Sequence, residues 1–286
     1  PKSRDDEQRL STSLTKMHES DPTIKVNRDK ETSELIMTGI SILHIDVVLH
    51  RLKRKFDVSV NTKPPKTPYR ETITRTANAQ YKHKKQSGGR GQYGEVYIKL
   101  EPTERGTGFT FVDNIVGGSV PHQFIPAVEK GLREKMDKGV IAGYHVVDVK
   151  VTLNDGSYHD VDSSEAAFKI AASKAFQAGF KEAGAVLLEP IVNIEISVPS
   201  KFMGDITGDL NSRRGRITRM DSIGDLQIIC ATIPSAEIMT YSSELRSITG
   251  GEGYYTIEFS HYDIVPAKTT EAIIARATVH KEEDEN

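Results

Sequence analysis

Residues 188–286 read as strand, helix, strand, strand, helix, strand, and residues 1–62 repeat that order without its first strand. The complete order is that of a split β-α-β, ferredoxin-like unit, and finding it twice restricts the fold far more than composition does. In the first copy, Leu10, Leu14 and Met17 stand at helical spacing before Asp21-Pro22. "TIKVNRDKETSELIMTGI" follows as two short strands joined by the polar turn Arg28–Ser33. A second helix presents Leu43, Val47, Leu49 and Leu52 as its apolar face, with Arg51, Lys53, Arg54 and Lys55 near the C-terminal end, where the dipole favours cations. "FDVSVNT" is the last strand. A domain that starts one element late predicts a chain cut from something longer.

The second copy runs through "LLEPIVNIEISVP", helical "KFMGDITGDLNSRRG", strands "RITRMDSI" and "DLQIICATIP", helix "AEIMTYSSELRSIT" and strand "GYYTIEFSHYDIV". A helix near "TTEAIIARAT" and the acidic tail "HKEEDEN" close the chain. Between the copies, Pro64, Pro65 and Pro68 mark a stiff linker, and residues 63–187 form a third, mixed unit. There "YRETITRTANAQYKHKK", "GEVYIKLEP", "FTFVDNIVGG" and "YHVVDVKVTL" alternate as strands, with "NDGSYHD" as a turn. A helix from Pro121 gathers Phe124, Ile125, Val128, Leu132 and Met136 on one face and ends at Gly139. Asp162-Ser163-Ser164-Glu165 reads as a capping box for a helix that buries Phe168, Ile170, Ala171, Ala175 and Phe176 and ends at Gly184. The fold class is α+β.

Charge is distributed unevenly. The net value of -2 hides nine basic against two acidic residues over 63–100, net +7, and eighteen against twenty-eight over 101–286, net -10. A basic block on an acidic body predicts a polyanion contact in one place; the alternative is a solvated, lysine-rich hairpin. The one cysteine, Cys230, excludes an intrachain disulfide and a cysteine-based zinc site, and reads as a buried small hydrophobe. No apolar run reaches the roughly 20 residues of a membrane span, and the start is no signal peptide, which predicts a cytoplasmic protein.

The basic block contains Gly89-Arg90-Gly91-Gln92-Tyr93-Gly94-Glu95-Val96, a match to G-x-G-x-x-G-x-V. A dinucleotide fingerprint opens a helix, whereas these glycines precede the alternating "EVYIKLEP". A kinase needs H-R-D and D-F-G, and neither occurs; nor does a Walker A sequence. A glycine-rich turn flanked by Lys82, Lys84, Lys85 and Arg90, with Tyr93 as its aromatic, suits RNA. The competing reading is a merely flexible hairpin.

These stretches resemble a known family. "QSGGRGQYG", "GYHVVDVKVTLNDGSYHDVDSSEAAFKIAA", "LLEPIVNIEISVP", "GDLNSRRGRI" and "SSELRSITGG" are similar to segments of the third, fourth and fifth domains of translational elongation factor G, over essentially the whole chain. The resemblance implies two ferredoxin-like domains flanking a central domain of the ribosomal protein S5 domain 2-like fold. It implies a tip made of Lys84, Lys85 and Ser87, Gly88, Gly89, Arg90, Gly91, Gln92, Tyr93 on one side, and Ser157, Tyr158, His159 and Asp160 on the other. His159 falls on the family's tip histidine, whose implied role is contact with the tRNA–mRNA duplex, and Arg90 would meet phosphate; Asp162 and Glu165 would cap the helix. Arg213, Arg214 and Arg246 match stretches that lie near large-subunit rRNA, against the alternative of a solvated turn at Arg213 and Arg214. The implied partners are the ribosome, its rRNA and tRNA–mRNA, with no membrane, for a monomer. No cofactor is implied for this chain, and GTP with Mg is implied for an upstream domain.

Three departures mark an elongation factor G-like paralogue: Gly39-Ile40-Ser41-Ile42-Leu43-His44 in place of a Gly-x-Gly-Glu-Leu-His-like stretch, Glu252 near a usual arginine, and the basic "YKHKKQ". A recycling or ribosomal protection factor, or a standalone ribosome-binding module without GTPase activity, are the other readings.

Overall fold

The structure, a computed structural model, describes residues 4–29, 32, 34–86 and 91–284. The candidate residues Ser87, Gly88, Gly89 and Arg90 lie outside the described residues. Two compact units emerge, Pro1–Pro68 with Val192–Phe259 and Tyr69–Ile191 with Ser260–Asn286.

The first unit begins with α1 (Arg4–Ser20), the antiparallel pair β1 (Lys25–Arg28) and β2 (Leu35–Thr38), and α2 (Ile42–Phe56). Leu10, Leu14 and Met17 are buried against Val48, Leu52 and Val58, as their helical spacing requires. The apolar face of α2 differs from the expected one. Its inward stripe is Ile45, Val48, Leu49 and Leu52, which satisfies i, i+3, i+4, i+7, whereas Leu43 and Val47 lie to the side of it, 69% and 39% exposed.

In the second unit, β3 (Arg70–Ile73), β4 (Ala77–Lys85), β5 (Gln92–Pro102), β6 (Phe109–Asp113), α3 (Ile125–Lys138), β7 (Val149–Ser157) and α4 (Glu165–Glu182) follow in order. The sheet order is β4-β5-β7-β6, with only β6 and β7 parallel. One face is apolar: Val96, Ile98, Leu100, Val149, Val151 and Leu153 pack on Phe124, Val128, Leu132, Phe168 and Phe176. Ile170, expected inside, is 38% exposed, because it sits two positions from Phe168 on the helix circumference. The other sheet face is polar and half-open.

The strand β7 also runs further than the turn expected at "NDGSYHD". It pairs with β5 as far as Ser157, with a register shift between Tyr97 and Ile98 where Leu153 faces Ile98 and Asp155 faces Tyr97. The extra residue inverts the alternation, so Leu153 stays in the core while Ser157, opposite Glu95, turns to the polar face.

The loop from α3 to β7 is anchored from β3. Both carboxylate oxygens of the fully buried Glu71 accept backbone N–H groups: Oε2 from Val140 (2.6 Å) and Ile141 (2.9 Å), Oε1 from Ala142 (2.8 Å), Gly143 (2.9 Å) and Tyr144 (3.1 Å). The Glu71 main chain adds bonds to His145 and Val147.

Then follow β8 (Ala185–Pro199), which enters the first unit at Val192, α5 (Met203–Ser212), β9 (Arg216–Ile223), β10 (Leu226–Pro234), α6 (Tyr241–Thr249) and β11 (Tyr254–Ile264), which belongs to the first unit as far as Phe259; the sheet order is β11-β8-β10-β9. Val192, Ile194, Ile196 and Val198 pack on Ile206, Leu210, Tyr241 and Leu245. Cys230 points to the other face and is only half-buried, its Sγ 3.7 Å from Glu195 and 3.6 Å from Arg219, which corrects the expectation of a core residue. In this sheet the last strand pairs with the first. The strand expected at "FDVSVNT" does not form: residues 57–63 pair with no strand, and Val58 is held by packing in the core beside Leu52. The chain ends in α7 (Ala267–Asp284), whose Ile273 packs on Ala142, Leu187 and Val265 within the second unit.

Candidate nucleic-acid interface

The hairpin β4–β5 sets Gln80, Lys82 and Lys84 opposite Tyr97, Glu95 and Tyr93 on the polar face of the sheet. Glu95 is the hub. Its Oε2 accepts from Ser157 (2.6 Å), its Oε1 from Gln80 (2.6 Å), and Lys82 stands 3.7 Å away. The Tyr93 hydroxyl is 2.7 Å from Ser157 Oγ, and the Lys82 ammonium lies 5.2 Å from the Tyr93 ring centre. Burial pushes the Glu95 carboxyl up, but the hydrogen bonds from Ser157 and Gln80, the charge of Lys82 and the Tyr93 hydroxyl hold it below the usual glutamate range. The Lys82 ammonium is held above its ordinary value, first by its contact with Tyr93 and then by the charge of Glu95.

The loop after β7 folds on itself and onto the hairpin. His159 N–H donates to Ser163 Oγ (2.9 Å), Ser163 N–H to the His159 carbonyl (3.0 Å), and Ser163 Oγ to the Tyr93 carbonyl (3.0 Å). Asp162 is not the helix cap. Ser164 caps α4 by accepting from Ala167 N–H (3.3 Å), while the Asp162 carboxylate accepts from Gly91 N–H (3.0 Å) and its carbonyl from Tyr93 N–H (2.9 Å). The extended backbone of Ser164 suits the cap position, and Asp162 stands two residues before it.

His159 keeps an exposed ring. Its Nδ1 receives Val161 and Asp162 N–H groups, both at 3.3 Å, and is 3.7 Å from Asp162 Oδ2. An accepting Nδ1 places the proton of the neutral ring on Nε2, which makes that edge a donor. The ring centre lies 6.3 Å from that of Tyr93.

Two glycines of the motif have a steric task. A Cβ on Gly94 would come within 3.1 Å of the Ala167 and Phe168 backbone at the start of α4, and one on Gly91 within 2.9 Å of the Asp162 carboxylate. Close approach to the loop and the helix, not a phosphate cradle, accounts for both. No helix starts after Gly94; β5 continues.

Gly91, Gln92, Tyr93, Ser157, Tyr158, His159 and Asp160 thus gather at one end of the second unit, with Tyr158 45% exposed. Lys84 and Lys85 are exposed at the end of β4. The sequence reading missed Glu95, Gln80 and Ser163, which build the base of this site; an acid placed opposite Lys82 in a strand pair was the available signal for Glu95.

Arg213, Arg214 and Arg246 belong to the first unit. Arg213 is mostly buried: it pairs with Asp209 (2.9 Å) and Glu244, donates to the Glu237 carbonyl (2.9 Å), and lies over the Tyr241 ring. Arg214, with φ of 62°, pairs with Glu237 at 3.1 Å. Arg246 is exposed in the last turn of α6. Among the described residues no helix is long and apolar enough to cross a membrane.

Comparison with known proteins covers nearly every residue. Residues 1–64 match the model of elongation factor G domain III, residues 65–184 that of domain IV, and residues 186–273 that of the elongation factor G C-terminus. A crystal structure of a protein from Thermus thermophilus is 44% identical, with a TM-score of 0.84 over 97% of this chain. The chain spans 42% of that protein's chain. These matches, which follow one another along the chain, show that the chain belongs to the elongation factor G family and comprises its domains III, IV and C-terminal domain.

Proposed function

We propose that this chain is the ribosome-engaging part of a translational GTPase that promotes tRNA–mRNA translocation. The observation that carries the reading is the tip: two loops from different strands, tied to one another, that present Lys84, Lys85, Tyr158 and the Nε2 edge of His159. Ammonium groups suit phosphates, an exposed tyrosine suits an unstacked base, and a ring N–H suits a phosphate or 2′-hydroxyl oxygen. No nucleophile with an adjacent base enters the reading, so the action is positional. The tip occupies the decoding side and keeps the tRNA–mRNA duplex from slipping back. GTP and Mg would bind the remainder of the full-length protein, and the setting would be the cytoplasm.

Ribosome binding by the full-length protein tests this. Lys84→Ala and Lys85→Ala are expected to weaken binding and each to lower the dependence of affinity on salt, because a lysine at a phosphate displaces a counterion. An unchanged salt slope in the double variant would remove the tip from the interface. Arg246, exposed on the first unit, is a second expected phosphate contact. Arg213 and Arg214 hold their own domain in order, which weighs against a direct contact for them.

A further inference from the structure

We propose that Glu95 is a positioning residue that holds the start of β5, at Gln92 and Tyr93, and the start of the loop after β7, at Ser157, in one fixed arrangement, an inference that rests on the RNA-contacting reading of the tip. β5 begins at Gln92, just after Gly91, and the loop after β7 runs from Ser157 to Ser164. Two separate segments present a defined surface only if something fixes their separation.

Glu95 sits at the base of both. Its side chain is 9% exposed although it stands on the open face of the sheet, because Gln80, Lys82, Tyr93, Tyr97 and Ser157 surround it. These five come from three strands. The bond from Ser157 ties down the residue at which the loop after β7 departs, and the Tyr93 hydroxyl, shared between Ser157 and Glu95, ties down the start of β5. The charge suits this pattern: both oxygens accept, from Ser157 and Gln80, with the Lys82 ammonium 3.7 Å away, whereas an amide loses the attraction to Lys82 and keeps a bond to Ser157 only if the Ser157 and Tyr93 hydroxyls reverse their roles. The arrangement also depends on the register shift in β7, without which Ser157 would face the core. Further out, Asp162 closes the same gap through Gly91 and Tyr93. Glu95 touches no substrate; it acts through the residues it spaces.

The test is amide hydrogen exchange on the full-length protein, paired with single-turnover translocation. Glu95→Gln is expected to speed exchange both at Gln92–Tyr93, the start of β5, and at His159–Ser163, in the loop after β7, by at least about tenfold, the scale of one charge-assisted hydrogen bond. Tyr93→Phe and Ser157→Ala, which keep the fold's volume, are expected to do the same more weakly and to add nothing to Glu95→Gln. Translocation should slow at saturating protein, with the half-saturating concentration little changed. Exchange that rises at Gln92–Tyr93 alone would overturn the proposal, as would faster exchange at both places with full translocation rate. If His159→Ala leaves translocation intact while Glu95→Gln speeds exchange at both places, the positioning role stands and the RNA-contacting reading of the tip falls.

Discussion

Replacing Glu71 by glutamine changes one atom of a buried side chain, and the structure sets a minimum cost. A carboxamide has one accepting oxygen. Placed one way it loses the N–H groups of Val140 and Ile141; placed the other way it loses those of Ala142, Gly143 and Tyr144. At least two hydrogen bonds to a charged group go, and the NH₂ is set against the donors whose acceptor it has replaced. With about 1.5–3 kcal/mol for each such bond, Glu71→Gln is expected to destabilise the second unit by about 3 kcal/mol. Glu71→Ala strands all five donors and is expected to cost about 4–5 kcal/mol, moderated by water entering the space. For a unit of this size 3 kcal/mol corresponds to a melting shift of roughly 10 °C. Calorimetry gives the shift, and hydrogen exchange should localise it, with protection lost first at Val140–Tyr144. A Glu71→Gln protein that melts within about 2 °C of the wild type would refute the reasoning, since it would mean that neighbouring groups replace the carboxylate without cost.

Gly94→Ala should cost about 1–3 kcal/mol in urea unfolding, because its Cβ would press at 3.1 Å on the Ala167–Phe168 backbone; a neutral result would mean that α4 shifts freely. Glu95 contributes acid-sensitive stability. Its folded pKa lies below its ordinary 4.5, so the contribution is complete above that value and is lost as pH falls through the folded pKa; the difference in unfolding free energy between wild type and Glu95→Gln should shrink on acidification and not grow. Arg213→Ala should lower the stability of the first unit by about 2 kcal/mol in denaturant titration, whereas Arg246→Ala should leave stability unchanged and weaken ribosome binding; weaker binding by a fully stable Arg213→Ala would reverse these roles.

Much of the fold was legible because burial imposes periodicity. Leu10, Leu14 and Met17, and the stripe Val128, Leu132 and Met136, have no other stable use than a helix face on a core. The misreadings have local causes. In α2, apolar residues occur nearly all round, so the spacing allowed two faces, and packing on α1 selected Val48 and Leu52 over Leu43 and Val47. "FDVSVNT" has strand composition, but a strand also needs a neighbour, and sequence periodicity does not report one. The site divides the same way. Glycine, lysine and aromatic content marked the first loop, whereas the junction with the second depends on a bulge in β7 that "NDGSYHD" disguised as a turn. Asp162 illustrates the limit: its spacing to Glu165 fits a capping box, and only the fold brings Gly91, distant in sequence, to its carboxylate. Arg213 and Arg214 look like a free basic pair until Asp209, Glu237 and Glu244 are placed beside them.

Single-turnover tRNA–mRNA translocation, driven by the full-length protein with GTP on purified ribosomes, tests the central claim most directly. Arg90→Ala and His159→Ala are expected to slow the step while each protein stays folded, because the His159 ring is exposed and Arg90 is proposed as a phosphate contact. Wild-type rates in both variants would contradict the account and leave the tip without a part in translocation.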